Sequence, residues 1–145
     1  MGTEKRYDQD FYAWAIKNAE LLRQGRLSEI DAEHVAEELE SMGKSERREL
    51  ISRLEMLLVH LLKWQFQPGL RGASWEITIL KQRDSLADLL EESPSLRQGL
   101  SEHLVRAYGR ARRYAAKETG LPLATFPDSC PFTGEQVLDP EFWPT

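Results

Sequence analysis

His34, Glu37 and Glu38 are the one place in this sequence where an imidazole and carboxylates fall at a spacing that chemistry can use. On a helix, residues three and four apart are surface neighbours, so the triplet sets a histidine beside two acids. Helical bundles assemble metal sites from that donor set. His60, on a later helix, is a second imidazole that antiparallel packing would have to carry to the same place. Together His34, Glu37, Glu38 and His60 are the candidate metal ligands. Two features weigh against them. A Glu-x-x-His motif is not duplicated, as carboxylate-bridged di-metal bundles require. His60 also shares a stripe with Arg53 and Lys63, whose charges oppose both its protonation and a cation beside it. The plainer reading is an ion pair of His34 with Glu38 on the border of a solvated acidic face, and a satisfied, half-buried His60.

A second constellation is basic. Arg106, Arg110, Arg113 and Lys117 follow one another in helical steps of four, three and four, with His103 at the head of the stripe. Guanidinium groups aligned in this way bind phosphates through charge-assisted pairs of hydrogen bonds. They equally suit an acidic surface, and one helix carries Glu29, Asp31, Glu33, Glu37, Glu38 and Glu40, available within the fold or across a dimer. Tyr108 lies off the stripe, and no aromatics interleave with the cations as a single-strand-binding surface would need. Cys130, between Ser129 and Pro131, has no neighbouring cation and no helix start after it, so nothing marks it as a nucleophile. No phosphate-cradling glycine loop, zinc-type cluster or nucleophile elbow occurs.

The elements that must position these residues are helical. Residues 8–24 form a first helix, capped by Asp8 or Asp10, with Phe11, Trp14, Ala15, Leu21 and Leu22 at helical spacing and Gly25 as its stop. A second, over 28–42, is capped by Ser28 or Asp31 and carries a narrow stripe of Val35, Leu39 and Met42. Gly43, Lys44 and Ser45 read as stop, spacer and cap, which favours a break before a third helix over 45–66, the alternative being a tolerated glycine inside one long rod. In that helix Leu50, Leu54, Leu57, Leu61 and Trp64 alternate in steps of four and three, the seam of a buried bundle helix. A loop over 67–73 leads to a fourth helix capped by Ser74, with Glu76 near its start and Trp75, Ile79, Leu86 and Leu90 facing inward. Ser93-Pro94 opens a fifth, whose core stripe is Leu96, Leu100, Leu104, Ala107, Ala111 and Tyr114 and whose stop is Gly120. Beyond Pro122, prolines at 127, 131, 140 and 144 forbid long helices, and Thr133 with Gln136 matches a capping box for one short turn. Phe126, Phe132, Val137, Leu138, Phe142 and Trp143 are too apolar for a free tail and are expected to lie across the bundle.

The chain therefore reads as one all-α domain: a bundle of about five helices over 1–121 and a Pro-rich segment over 122–145 packed across it. At 145 residues it closes a core without disulfides or structural metal. A net charge of -5 argues against nucleic acid as the partner of the whole molecule. Met1–Gln9 is polar, the densest apolar run (56–62) is too short for a bilayer, and the single cysteine has no internal partner; together these predict a cytoplasmic protein without a membrane segment.

The segments at 7–14 and 36–48 resemble a bacterial family catalogued as domain of unknown function 29. So do His60-Leu61-Leu62-Lys63-Trp64-Gln65-Phe66-Gln67-Pro68 with Ser74-Trp75, and the matches continue through 93–96, 119–122, Phe126-Pro127 and Cys130-Pro131. The resemblance implies an all-α bundle and no particular activity, cofactor or substrate. Its motifs single out Glu37, Glu38, His60, Trp64 and Trp75 without giving them a role. Missing catalytic constellations and complementary charged helices make a non-catalytic interaction module, binding a protein partner or a second copy of itself and needing no cofactor, the leading expectation. A carboxylate/histidine metal site or metal-dependent enzyme is the first alternative. Phosphate or RNA binding along Arg106, Arg110, Arg113 and Lys117 is the second.

Overall fold

The structure, a computed structural model, describes residues 7–145, and every regular element among them is helical. Helix α1 is Phe11–Arg23, α2 Ala32–Phe66, α3 Ala73–Glu92, α4 Leu100–Thr119 and α5 Gly134–Leu138. Of the two caps proposed for α1, Asp10 is the one used: its carboxylate accepts the Ala13 N–H at 3.1 Å. Gly25, at φ 70°, makes the expected left-handed stop. Asp31 opens α2, its carboxylate taking the His34 backbone N–H.

The predicted break at Gly43 does not occur. Helix α2 runs unbroken from Ala32 to Phe66. A glycine inside a helix costs about 1 kcal/mol relative to alanine, and that penalty is too small against the strong helix formers on both sides. Two smaller corrections concern serines. Helix α3 begins at Ala73 with Gly72 at its cap, so Ser74 lies inside the first turn. Ser93-Pro94 opens a 3-10 segment, Pro94–Gly99, and α4 starts only at Leu100. Ser93 Oγ donates to Glu46 Oε2 at 2.5 Å and accepts no backbone N–H of the following turn.

The chain divides into two compact units, Met1–Ser45 and Glu46–Thr145. The second holds a continuous apolar core. From α2 come Leu50, Leu54, Leu57, Leu58, Leu61 and Leu62, all fully buried; α3 adds Ile79, Leu86 and Leu90, and α4 adds Leu104, Ala107, Ala111 and Ala115. The Pro-rich segment does pack on this core. Phe126, Phe132 and Val137 are buried in it, and Phe142 and Trp143 pack against it. The Thr133–Gln136 capping box forms and starts α5. Arg83 of α3 reaches the last turn of α5, donating from Nε to the Val137 carbonyl at 2.9 Å and from Nη2 to that of Gln136 at 3.3 Å. A cation at a helix C-terminus satisfies carbonyls that the helix itself leaves open.

In the first unit the buried residues of α1 are Trp14, Asn18 and Leu21. Phe11 and Leu22, which share the helical spacing of Trp14 and Leu21, are about half exposed. Leu39 and Met42 are more open still, with 63% and 65% of their surface open to solvent. Apolar periodicity says which residues share a helix face, and not whether that face is covered. Tyr114 of α4 is likewise largely exposed.

Candidate functional site

Of the residues proposed as metal ligands, His34, Glu38 and His60 each make a hydrogen bond within the protein. Asp31, buried at 9% exposure, accepts the Trp14 Nε1–H at 2.9 Å and lies 2.7 Å from His34 Nδ1. Asn18 braces the same corner, taking the Asp31 backbone N–H at 2.8 Å and donating Nδ2 to the Trp14 carbonyl at 3.0 Å. Burial pushes the Asp31 carboxyl up, but the hydrogen bonds from His34 and Trp14 outweigh it and hold its pKa below the usual value. The His34 ring stacks on Tyr7 with centroids 4.0 Å apart, and Trp14 meets both rings edge-on. Tyr7 donates its hydroxyl to Glu38 Oε1 at 2.5 Å. That bond, partial burial and the charges of Glu38, Glu37 and Asp8 push the Tyr7 phenol up to about 12. The ion pair of His34 is thus with Asp31, while Glu38 serves Tyr7. Glu37 points to solvent. His60, in the other unit, donates from Nδ1 to the Met56 carbonyl at 2.8 Å. Among the described residues no three His, Cys, Asp or Glu side chains gather closely enough to hold a metal ion.

The basic stripe is exposed along α4. Arg110 Nη1 donates to Glu55 of α2 at 3.1 Å, and the Arg113 guanidinium lies 5.9 Å from the Tyr114 ring centre. Among the described residues Arg106, Arg113 and Lys117 have no ion-pair partner. Beside the stripe, α2 and α4 enclose an open groove of about 360 Å³. Met56, Val59 and Tyr114 make its apolar lining, Ser52 and Glu55 one edge, Lys117 and Glu118 the other. Met56 and Tyr114 are nearly half exposed, at 47% and 46%. Lys63 approaches Glu118 at 3.9 Å and covers the Trp75 ring at 4.9 Å. Both motif tryptophans make ring contacts: Lys63 lies over Trp75, while Trp64 meets Trp143 at a 45° tilt and takes Arg71 over its face.

The groove and the stripe beside it thus combine charge with apolar area. The family profile described as Domain of unknown function DUF29 matches residues 6–143. The chain belongs to this family. No curated protein and no solved structure matches it. Among the described residues of this DUF29 chain, no helix is long and apolar enough to cross a membrane.

Two polar residues of the DUF29 chain escaped sequence reasoning although their spacing marked them. Asn18 stands between Trp14 and Leu21, and Arg83 between Ile79 and Leu86, each at a position of an otherwise apolar inward stripe. Both prove buried, Asn18 at 2% and Arg83 at 3% exposure. Cys130 is half-buried, and burial pushes its thiol above the ordinary range, in keeping with an unreactive cysteine. Nearby, Tyr108 donates its hydroxyl to the Pro127 carbonyl at 2.5 Å.

Proposed function

We propose that this DUF29 protein is a non-catalytic module that associates with copies of itself, the groove between α2 and α4 receiving the acidic N-terminal half of α2, with its exposed Leu39 and Met42, from a second molecule. The observation that carries this reading is the pairing of two exposed surfaces of opposite character. The groove offers Met56, Tyr114 and Lys117, with Arg113 against the Tyr114 ring, and among the described residues neither cation has an ion-pair partner. The N-terminal part of α2 offers exposed Leu39 and Met42, three residues apart on one face, and the solvated carboxylates Glu33, Glu37 and Glu40 along another face of the same helix segment. A helix laying apolar anchors into a groove while its flanking charges meet opposite charges on the rim is a recurrent docking mode. The contact joins two different patches, so it is heterologous and propagates until a ring closes or a chain grows.

The same features support the alternatives less well. Arg110 is already engaged by Glu55, which shortens the cationic run that a phosphate or RNA backbone would need. His34 and Glu38 have protein partners, so metal binding would first have to break the bonds to Asp31 and Tyr7.

A charge exchange tests the proposal. Arg113→Glu with Lys117→Glu should weaken association, as should Glu37→Lys with Glu40→Lys in a separate protein. An equimolar mixture of the two variants should associate again, because each now carries the complement of the other. If the mixture sediments as its components do alone, or if each variant associates as the original protein does, the proposal is wrong.

A further inference from the structure

A second cavity, of about 410 Å³, opens on the face of the Glu46–Thr145 unit where α3, the 3-10 segment after it, the start of α4 and α5 meet. Its walls are mixed. Ala87, Leu90, Leu100 and Leu138 are aliphatic, and Arg83 and Arg97 are cationic. Arg83 is the unusual member. Its side chain is buried, its guanidinium lies 5.6 Å from the Trp143 ring, and no carboxylate among the described residues comes within ion-pair distance of it. Two of its nitrogens hold α5, but Nη1 is buried without any acceptor. Burial opposes its charge, and the more distant Asp139 offsets this only in part. A buried cation lacking its counter-charge is destabilising, and a neutral side chain would pack α3 against α5 without that cost. The second cation, Arg97, is solvent-exposed at the rim and makes no ion pair among the described residues.

We propose that this cavity binds a small aliphatic carboxylate, its anionic end between Arg83 and Arg97 and its hydrocarbon end against Leu90, Leu100 and Leu138. A monoanion fits the walls better than a phosphate dianion does. Glu135 and Asp139 also line the cavity and repel a second negative charge, and a bare phosphate leaves the leucine wall unused. The site is separate from the α2–α4 groove and independent of self-association.

Isovalerate is the probe, with leucine and inorganic phosphate titrated in parallel against the full chain, followed by calorimetry and by backbone amide shifts. Saturable isovalerate binding is expected, with shifts confined to residues near Ala87, Arg97 and Leu138. Arg97→Gln, at an exposed position, should weaken it by about tenfold, the loss of one charge-assisted contact. Arg83→Gln should abolish it but also loosens α5, so Ala87→Phe supplies the cleaner control by filling the cavity from an exposed helix position. Isovalerate or leucine binding that Ala87→Phe removes supports the proposal. Failure of both carboxylates to bind overturns it, as does phosphate binding alone, or carboxylate binding that neither Arg97→Gln nor Ala87→Phe alters.

Discussion

Asp31 shows how one buried carboxylate can organise a small unit that has few buried apolar side chains. It orients Trp14 and His34 together, and its pKa is held below the ordinary 3.8 despite burial. A carboxylate with a depressed folded-state pKa contributes stability that is complete above its unfolded pKa and is lost as pH falls through the folded one. The Trp14 environment should therefore loosen as pH falls below about 4. Tryptophan fluorescence followed through an acid titration checks this. Asp31→Asn should remove the acid sensitivity while costing about 1–3 kcal/mol, since it keeps an acceptor for Trp14 but loses the charge facing His34. Cys130 gives a second expectation. With its thiol pushed up by burial, it should react with a disulfide reagent at neutral pH at least about tenfold faster in denaturant than in the folded protein. At this scale the sequence was only partly legible. His34 and Glu38 were visible as candidates, but their partners Asp31 and Tyr7 depend on how the turn after α1 folds back, which helical spacing does not encode. Arg83 and Asn18 carried a readable signal, a polar residue at an inward position, and its meaning required the carbonyls that each one meets.

Helices were the most legible level. The four-and-three alternation from Leu50 to Leu61 marked buried positions correctly, because that run is dense enough for one face to be covered whatever the neighbours are. The sparse Val35, Leu39 and Met42 stripe obeyed the same spacing but is largely exposed. Truncation should separate the two. Leu54→Ala, in the closed core, should cost about 2–5 kcal/mol in denaturant unfolding, and Leu39→Ala much less than 1 kcal/mol. Gly43 was misread because stop, spacer and cap residues are signals of low energy, and a long helix anchored at both ends overrides them. Nothing lies within 4 Å of where its Cβ would be, and its φ is not left-handed. Gly43→Ala should consequently stabilise the protein by about 1 kcal/mol, read as a shift in the unfolding midpoint. A helix broken there in the left-handed conformation would be destabilised by the same change.

For the whole molecule, charge distribution matters more than net charge. The balance of -5 conceals an acidic half of α2 and a cationic edge of α4, and averaging them hides the property on which the proposed association rests. Opposed helices were readable from the sequence. The groove was not, because Met56 and Val59 approach Tyr114 only once α2 and α4 pack, and because Tyr114 had been assigned to the core. Association driven by rim charges around apolar anchors should weaken with salt without vanishing, since Leu39, Met42, Met56 and Tyr114 still bury apolar area when the charges are screened. The most direct test is sedimentation velocity of the full chain over a wide concentration range at low salt, beside a Met56→Glu variant whose circular dichroism is unchanged. Self-association predicts a sedimentation coefficient that rises with concentration in the original protein and stays at the monomer value in the variant. A monomer at every concentration, or equal association of the two proteins, would contradict it.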